Sequence, residues 1–95
     1  VKRFTAGGAK EKIPQIGWNQ ISGLSTLLFR NVPEGSYCYF VHGYYAGLSE
    51  HTIARTDYTT LYSSALQQDN FYGVQFHPEK SAAAGEQILK NFLAI

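Results

Sequence analysis

The sequence predicts a small β-rich unit, mainly antiparallel or mixed β-strands closed by one C-terminal helix. Short runs of aromatic and β-branched residues alternate with Gly, Pro, Asp and Asn, which is the chemistry of strands and turns. Helical periodicity of apolar residues is confined to the stretch after Pro78. A chain of 95 residues suffices for one domain and buries only roughly 60–65% of its unfolded surface, so the core is thin.

Taken in order, Val1–Lys12 carries Lys2, Arg3, Lys10 and Lys12 around Gly7 and Gly8, the pattern of a short strand entering a solvated basic loop. Ile13–Ile21 follows with an extended entry at Pro14 and a bulge expected at Gly17. The apolar patch Leu24–Phe29 precedes Val32-Pro33-Glu34-Gly35, whose Pro and Gly reverse the chain. Ser36–Ala46, the densest aromatic and β-branched run, is expected to be a central strand. His51–Tyr58 and Ser63–Gln68 supply two more, Asp69-Asn70 turns, and Phe71–His77 forms the last strand, stopped by Pro78. Ser81 then caps a helix whose stripe is Ala84, Ile88, Phe92 and Ile95, broadened by Leu89 and Leu93.

Composition narrows the function. Hydrophobic residues make up 44% and charged residues 16%, with seven Tyr, six Phe and one Trp, which supports a packed unit rather than disorder. A net charge of +1 gives no field for wrapping nucleic acid or adhering to an anionic membrane. The single cysteine, Cys38, cannot form an internal disulfide, so a reducing, cytoplasmic setting is expected. No long apolar run or leader is present, and a start at Val1 rather than Met suggests a segment of something longer.

The sharpest local feature is Gln75-Phe76-His77-Pro78-Glu79-Lys80-Ser81. On extended backbone, residues two apart share a face, so His77 and Glu79 are expected side by side. A carboxylate accepting one imidazole N–H fixes the tautomer and leaves the other nitrogen to take a proton from a nucleophile. The spacing by itself leaves an ordinary surface ion pair open. Cys38 sits mid-strand without the glycines of a nucleophile elbow and reads as a small buried hydrophobe. His42 and His51 lack a third ligand at metal spacing and read as structural, so no metal site is expected. Trp18 is either a core aromatic or a contact on a subunit face.

G-V-Q-F-H-P-E-K-S followed by a helix, with P-Q-I-G-W-N-Q and Y-F-V-H-G-Y-Y upstream, resembles the class I, triad-type glutamine amidotransferases. F-H-P-E is common to many of them, including those serving GMP, anthranilate and carbamoyl phosphate synthesis. G-W-N and Y-F-V-H narrow the likeness to the glutaminase subunits of imidazole glycerol phosphate synthase. The likeness runs from about Lys12 to Leu93 but covers only the C-terminal half of the family's usual length. It implies that residues 1–95 are the C-terminal part of one α/β amidotransferase domain whose N-terminal half is missing here.

The resemblance places the catalytic base on His77 and its orienting carboxylate on Glu79. It puts the nucleophilic Cys in a G-x-C-x-G elbow that these residues do not contain, so the chain alone is expected to be inactive. It implies L-glutamine as substrate, held by backbone at Gly43 and Tyr44, where the family commonly has Ser in place of Gly43. It implies docking on a (β/α)8 cyclase through Trp18, Tyr39 and Lys80, although Lys80 alone also reads as a solvated surface residue. No cofactor is implied. Apolar edges that the missing half would cover predict self-association of the isolated chain. A catalytically silent, β-rich interaction module with a Trp18 and tyrosine face is the alternative.

Overall fold

The computed structural model describes Lys2 and Arg3, as main chain, and residues 15–95. The basic loop expected through Lys12 and the extended entry at Pro14 lie outside the described residues. The strands are β1 (Lys2–Arg3), β2 (Gln15–Gln20), β3 (Tyr37–His42), β4 (Tyr44–Tyr45), β5 (Thr52–Tyr58), β6 (Thr60–Gln68) and β7 (Phe71–Val74). One helix, α1 (Ala82–Ala94), closes the described chain. Short 3-10 turns occupy Leu27–Phe29 and Pro78–Lys80.

Among the described residues every strand pairing is antiparallel: β1 with β4, β2 with β3, and β5 with β6 with β7. Single bridges, Ser22 to Arg55 and Ala46 to Ser63, stitch these small sheets together. The reversal expected at Pro33–Gly35 occurs, and the Glu34 carboxylate secures it by accepting the amides of Gly23 at 2.8 Å and Leu24 at 2.7 Å. The Asp69-Asn70 turn also forms, with Asp69 in the left-handed region at φ 54°. Phe40 stands at the core, edge-on to Tyr62 and Phe76, with Ile21, Leu28, Phe29, Cys38, Ile53 and Ile88 around it.

Several expectations need correction. Gly17 makes no bulge: β2 and β3 stay in register through the Gly17–Phe40 pair. Its φ of 129° is what requires glycine there. The bulged stretch is in β5, around Ala54. The single strand expected over Ser36–Ala46 breaks at Gly43, because β3 pairs with β2 whereas β4 pairs with β1. The last strand ends at Val74, not His77, since the chain there leaves β6 and crosses to β3.

In α1 the buried face runs Gly85, Ile88 and Asn91, while Leu89, Phe92, Leu93 and Ile95 stay exposed. Asn91 explains the rotation. Its side-chain amide donates to the carbonyls of Leu28 at 2.8 Å and Arg30 at 2.7 Å, satisfying the open end of the first 3-10 turn. Among the described residues, no helix is long and apolar enough to cross a membrane.

Candidate active site

Phe76, buried against Phe40, anchors the chain just before the site. His77 is extended, at φ −98° and ψ 100°, and Pro78 begins the 3-10 turn, where its fixed φ fits and its missing N–H costs nothing. His77 Nδ1 lies 3.1 Å from Glu79 Oε2. The pair forms, but not through the expected strand alternation: the turn at Pro78 swings the carboxylate back beside the ring.

The Glu79 carboxyl is held below its ordinary range, first by its own main-chain N–H and then by His77 and Lys80. It is therefore ionised and accepts a hydrogen bond from the Nδ1–H tautomer of His77, in which the lone pair is on Nε2. The His77 side chain is 41% exposed. Among the described residues no hydrogen bond occupies its Nε2.

The main chain beneath the ring is tied to β3. The His77 N–H donates to the Tyr39 carbonyl at 2.9 Å, and the Tyr39 N–H donates to Ser81 Oγ at 3.0 Å. Ser81 Oγ in turn donates to the His77 carbonyl at 2.5 Å. The side-chain cap expected of Ser81 is therefore absent, because its hydroxyl is committed elsewhere. Gly85 lets α1 lie directly on this turn: a Cβ there would sit 1.9 Å from the Pro78 carbonyl oxygen.

A second polar cluster surrounds His42. Its Nδ1 donates to the Tyr44 carbonyl at 2.7 Å, and its Nε2 lies 2.8 Å from Gln15 Oε1 and 3.1 Å from the Tyr62 hydroxyl. Tyr62 also donates to Gln15 at 2.8 Å. Burial pushes the His42 pKa down and the Tyr62 phenol far up. This cluster backs the bend at Gly43 and Tyr44. Among the described residues no hydrogen bond links Gly43 or Tyr44 to His77, and both lie further along the β3–β4 path than Tyr39.

Trp18 is 52% exposed on the outer face of β2 rather than in the core. It meets Tyr39 edge-to-face, with ring centroids 5.8 Å apart. Lys80 is exposed at the end of the turn that holds Glu79. Tyr39 thus joins the outer aromatic face, through its ring, to the His77 segment, through its main chain. Cys38 is buried, and desolvation raises its thiol pKa to about 11, so it is an inert core residue.

The profile of the family described as glutamine amidotransferase class-I matches residues 1–95, the whole chain. The chain belongs to this family. Among class-I amidotransferases it is 53% identical over 95 residues to the imidazole glycerol phosphate synthase subunit HisH of Bacteroides fragilis (strain ATCC 25285), covering all of this chain and 48% of that protein. It is 55% identical over 85 residues to HisH of Shewanella sediminis, covering 90% of this chain and 39% of that one. It is 50% identical over 94 residues to HisH of Yersinia pseudotuberculosis, covering 98% and 47%. The chain spans about half the length of the curated relatives it matches.

Sequence reasoning missed the contacts of four residues around the two histidines. Gln15 and Tyr62 are buried and hold His42, while Ser81 and Gly85 hold the His77 turn. A Ser after Pro reads as a helix cap, and a Gly inside a helical run reads as a weak spot, so neither announced its contact.

Proposed function

We propose that this chain supplies the His77–Glu79 part of a Cys-His-Glu triad, as the C-terminal half of a glutaminase that feeds ammonia to a (β/α)8 cyclase subunit in histidine biosynthesis. The observation that carries the reading is the 3.1 Å contact from His77 Nδ1 to Glu79 Oε2, with Nε2 left to work as a base. The likeness to HisH subunits supports the partner and the pathway.

A cysteine from the rest of the domain attacks the side-chain amide carbon of L-glutamine while His77 Nε2 takes the thiol proton. Collapse of the tetrahedral intermediate expels ammonia, to which His77 returns that proton, leaving a glutamyl thioester. His77 then deprotonates water, which hydrolyses the thioester and releases glutamate and the thiol. Glu79 keeps the ring in one tautomer and stabilises the imidazolium between these steps. Backbone at Gly43 and Tyr44 holds the substrate. No cofactor enters the scheme. Trp18, Tyr39 and Lys80 face the cyclase, because ammonia released into bulk water would be protonated and lost as a nucleophile.

In the complete glutaminase with its cyclase, His77→Ala should cut glutamine-dependent synthesis by about 10²- to 10⁴-fold and leave synthesis from added ammonia intact. Loss of both together would make His77 a structural residue and overturn the reading. The 95-residue chain alone should not turn over glutamine, and activity above background would refute the divided triad.

A further inference from the structure

Resting on the reading of His77 as the base, we propose that Ser81 is its positioning residue, holding the main chain of His77 against β3 so that the imidazole meets the incoming thiol in one place. Tyr39 carries the argument. It stands opposite Trp18 in the β2–β3 register, yet its own N–H and C=O serve the His77 segment on the other edge of β3.

The first rung there is an ordinary one, from the His77 N–H to the Tyr39 carbonyl at 2.9 Å. A continuing strand would offer the next acceptor to the Tyr39 N–H, but Pro78 turns the chain away. The Ser81 hydroxyl comes back to fill that place. It accepts from Tyr39 and donates to the His77 carbonyl, closing a ring of three hydrogen bonds around a side chain that is 1% exposed.

Three main-chain bonds at His77, the third from the Lys80 N–H to the same carbonyl at 3.0 Å, fix its position and its ψ, and the Glu79 carboxylate fixes the orientation of the ring. Ser81 also starts α1 through its main chain, since its carbonyl accepts the Gly85 N–H at 3.1 Å. With a one-carbon side chain, its hydroxyl reaches both groups without a flexible stem. Alanine would keep the turn, whose Lys80 N–H still reaches the His77 carbonyl, and α1, but would leave the Tyr39 amide without its partner and untie His77 from it, so the ring would gain freedom rather than lose its chemistry.

The test uses the complete glutaminase bound to its cyclase, with His77→Ala, Ser81→Ala and Ser81→Cys compared by glutamine kinetics. Misplacing a reacting group by about an ångström costs up to about a hundredfold in rate. Ser81→Ala should therefore lower kcat by about ten- to a hundredfold, with KM for glutamine and ammonia-dependent synthesis unchanged. Ser81→Cys, of similar volume and with weaker hydrogen bonds, should fall between the two and keeps the test readable if the alanine variant folds poorly. Ser81→Ala turnover within about twofold of the parent, beside a dead His77→Ala, overturns the positioning role and spares the base. A fall in kcat and ammonia-dependent synthesis together, tracking loss of folded protein, overturns it as well. Full glutamine turnover by His77→Ala overturns both readings.

Discussion

Two histidines in this chain have opposite surroundings. His77 stands at the surface on a turn, with an ionised carboxylate on one nitrogen and no partner for the other among the described residues. His42 is half-buried, with the Tyr44 carbonyl on one nitrogen and Gln15 and Tyr62 on the other. A proton carrier needs one nitrogen anchored and one available, whereas a ring engaged on both sides is a strut. Partner chemistry matters as much as number: a carboxylate stabilises the imidazolium, while burial beside neutral groups opposes it.

The contrast would collapse if the two rings were interchangeable in catalysis. His77→Ala should cost about 10²- to 10⁴-fold in glutamine-dependent turnover, whereas His42→Asn should change kcat by less than about tenfold, as read from steady-state rates of the complete complex. Glu79→Gln sharpens the point by keeping shape and removing charge. Loss of an orienting carboxylate is milder than loss of the base, so turnover should remain about ten- to a hundredfold above that of His77→Ala. Equal losses would make the carboxylate part of the reacting set.

The supports can be broken separately. Gly85→Ala forces a methyl into the Pro78 carbonyl and should destabilise the fold by about 3 kcal/mol, measured as a shift in the urea midpoint. An unchanged midpoint would mean that α1 does not lean on the turn. The smallest expected effect is the pH response of His42. Its folded pKa lies below the ordinary 6.5, so its contribution to stability is complete above about pH 6.5 and is lost as pH falls through the folded value. His42→Asn should flatten the fall of the unfolding midpoint below that pH, and an unaltered slope would assign the response to other groups.

Much of the architecture was legible in the residues. The antiparallel strands, the Asp69-Asn70 turn and the closing helix all follow from local propensity and turn chemistry. What local pattern could not give was where strands change partners. The break at Gly43 and the early end of β7 arise because neighbouring segments pair with different strands, which periodicity does not register. The contact between His77 and Glu79 was readable from their motif and the burial of Cys38 from its context. The helix face was misplaced because its centre is polar: Asn91 is buried for two carbonyls that no sequence pattern advertises. Gln15, Tyr62, Ser81 and Gly85 stayed hidden for the same reason, since each is defined by a distant contact.

The Pro78 carbonyl pressed onto Gly85 also bears on any library of random variants of this chain. Neighbouring positions such as Ala83, Glu86 and Lys90 face solvent and would accept broad replacement. Position 85 would score as intolerantly as His77 and Glu79, although its role is to let α1 pack against the turn. A scan read by activity alone would misfile that glycine as chemistry, and pairing it with a folding readout would return it to architecture.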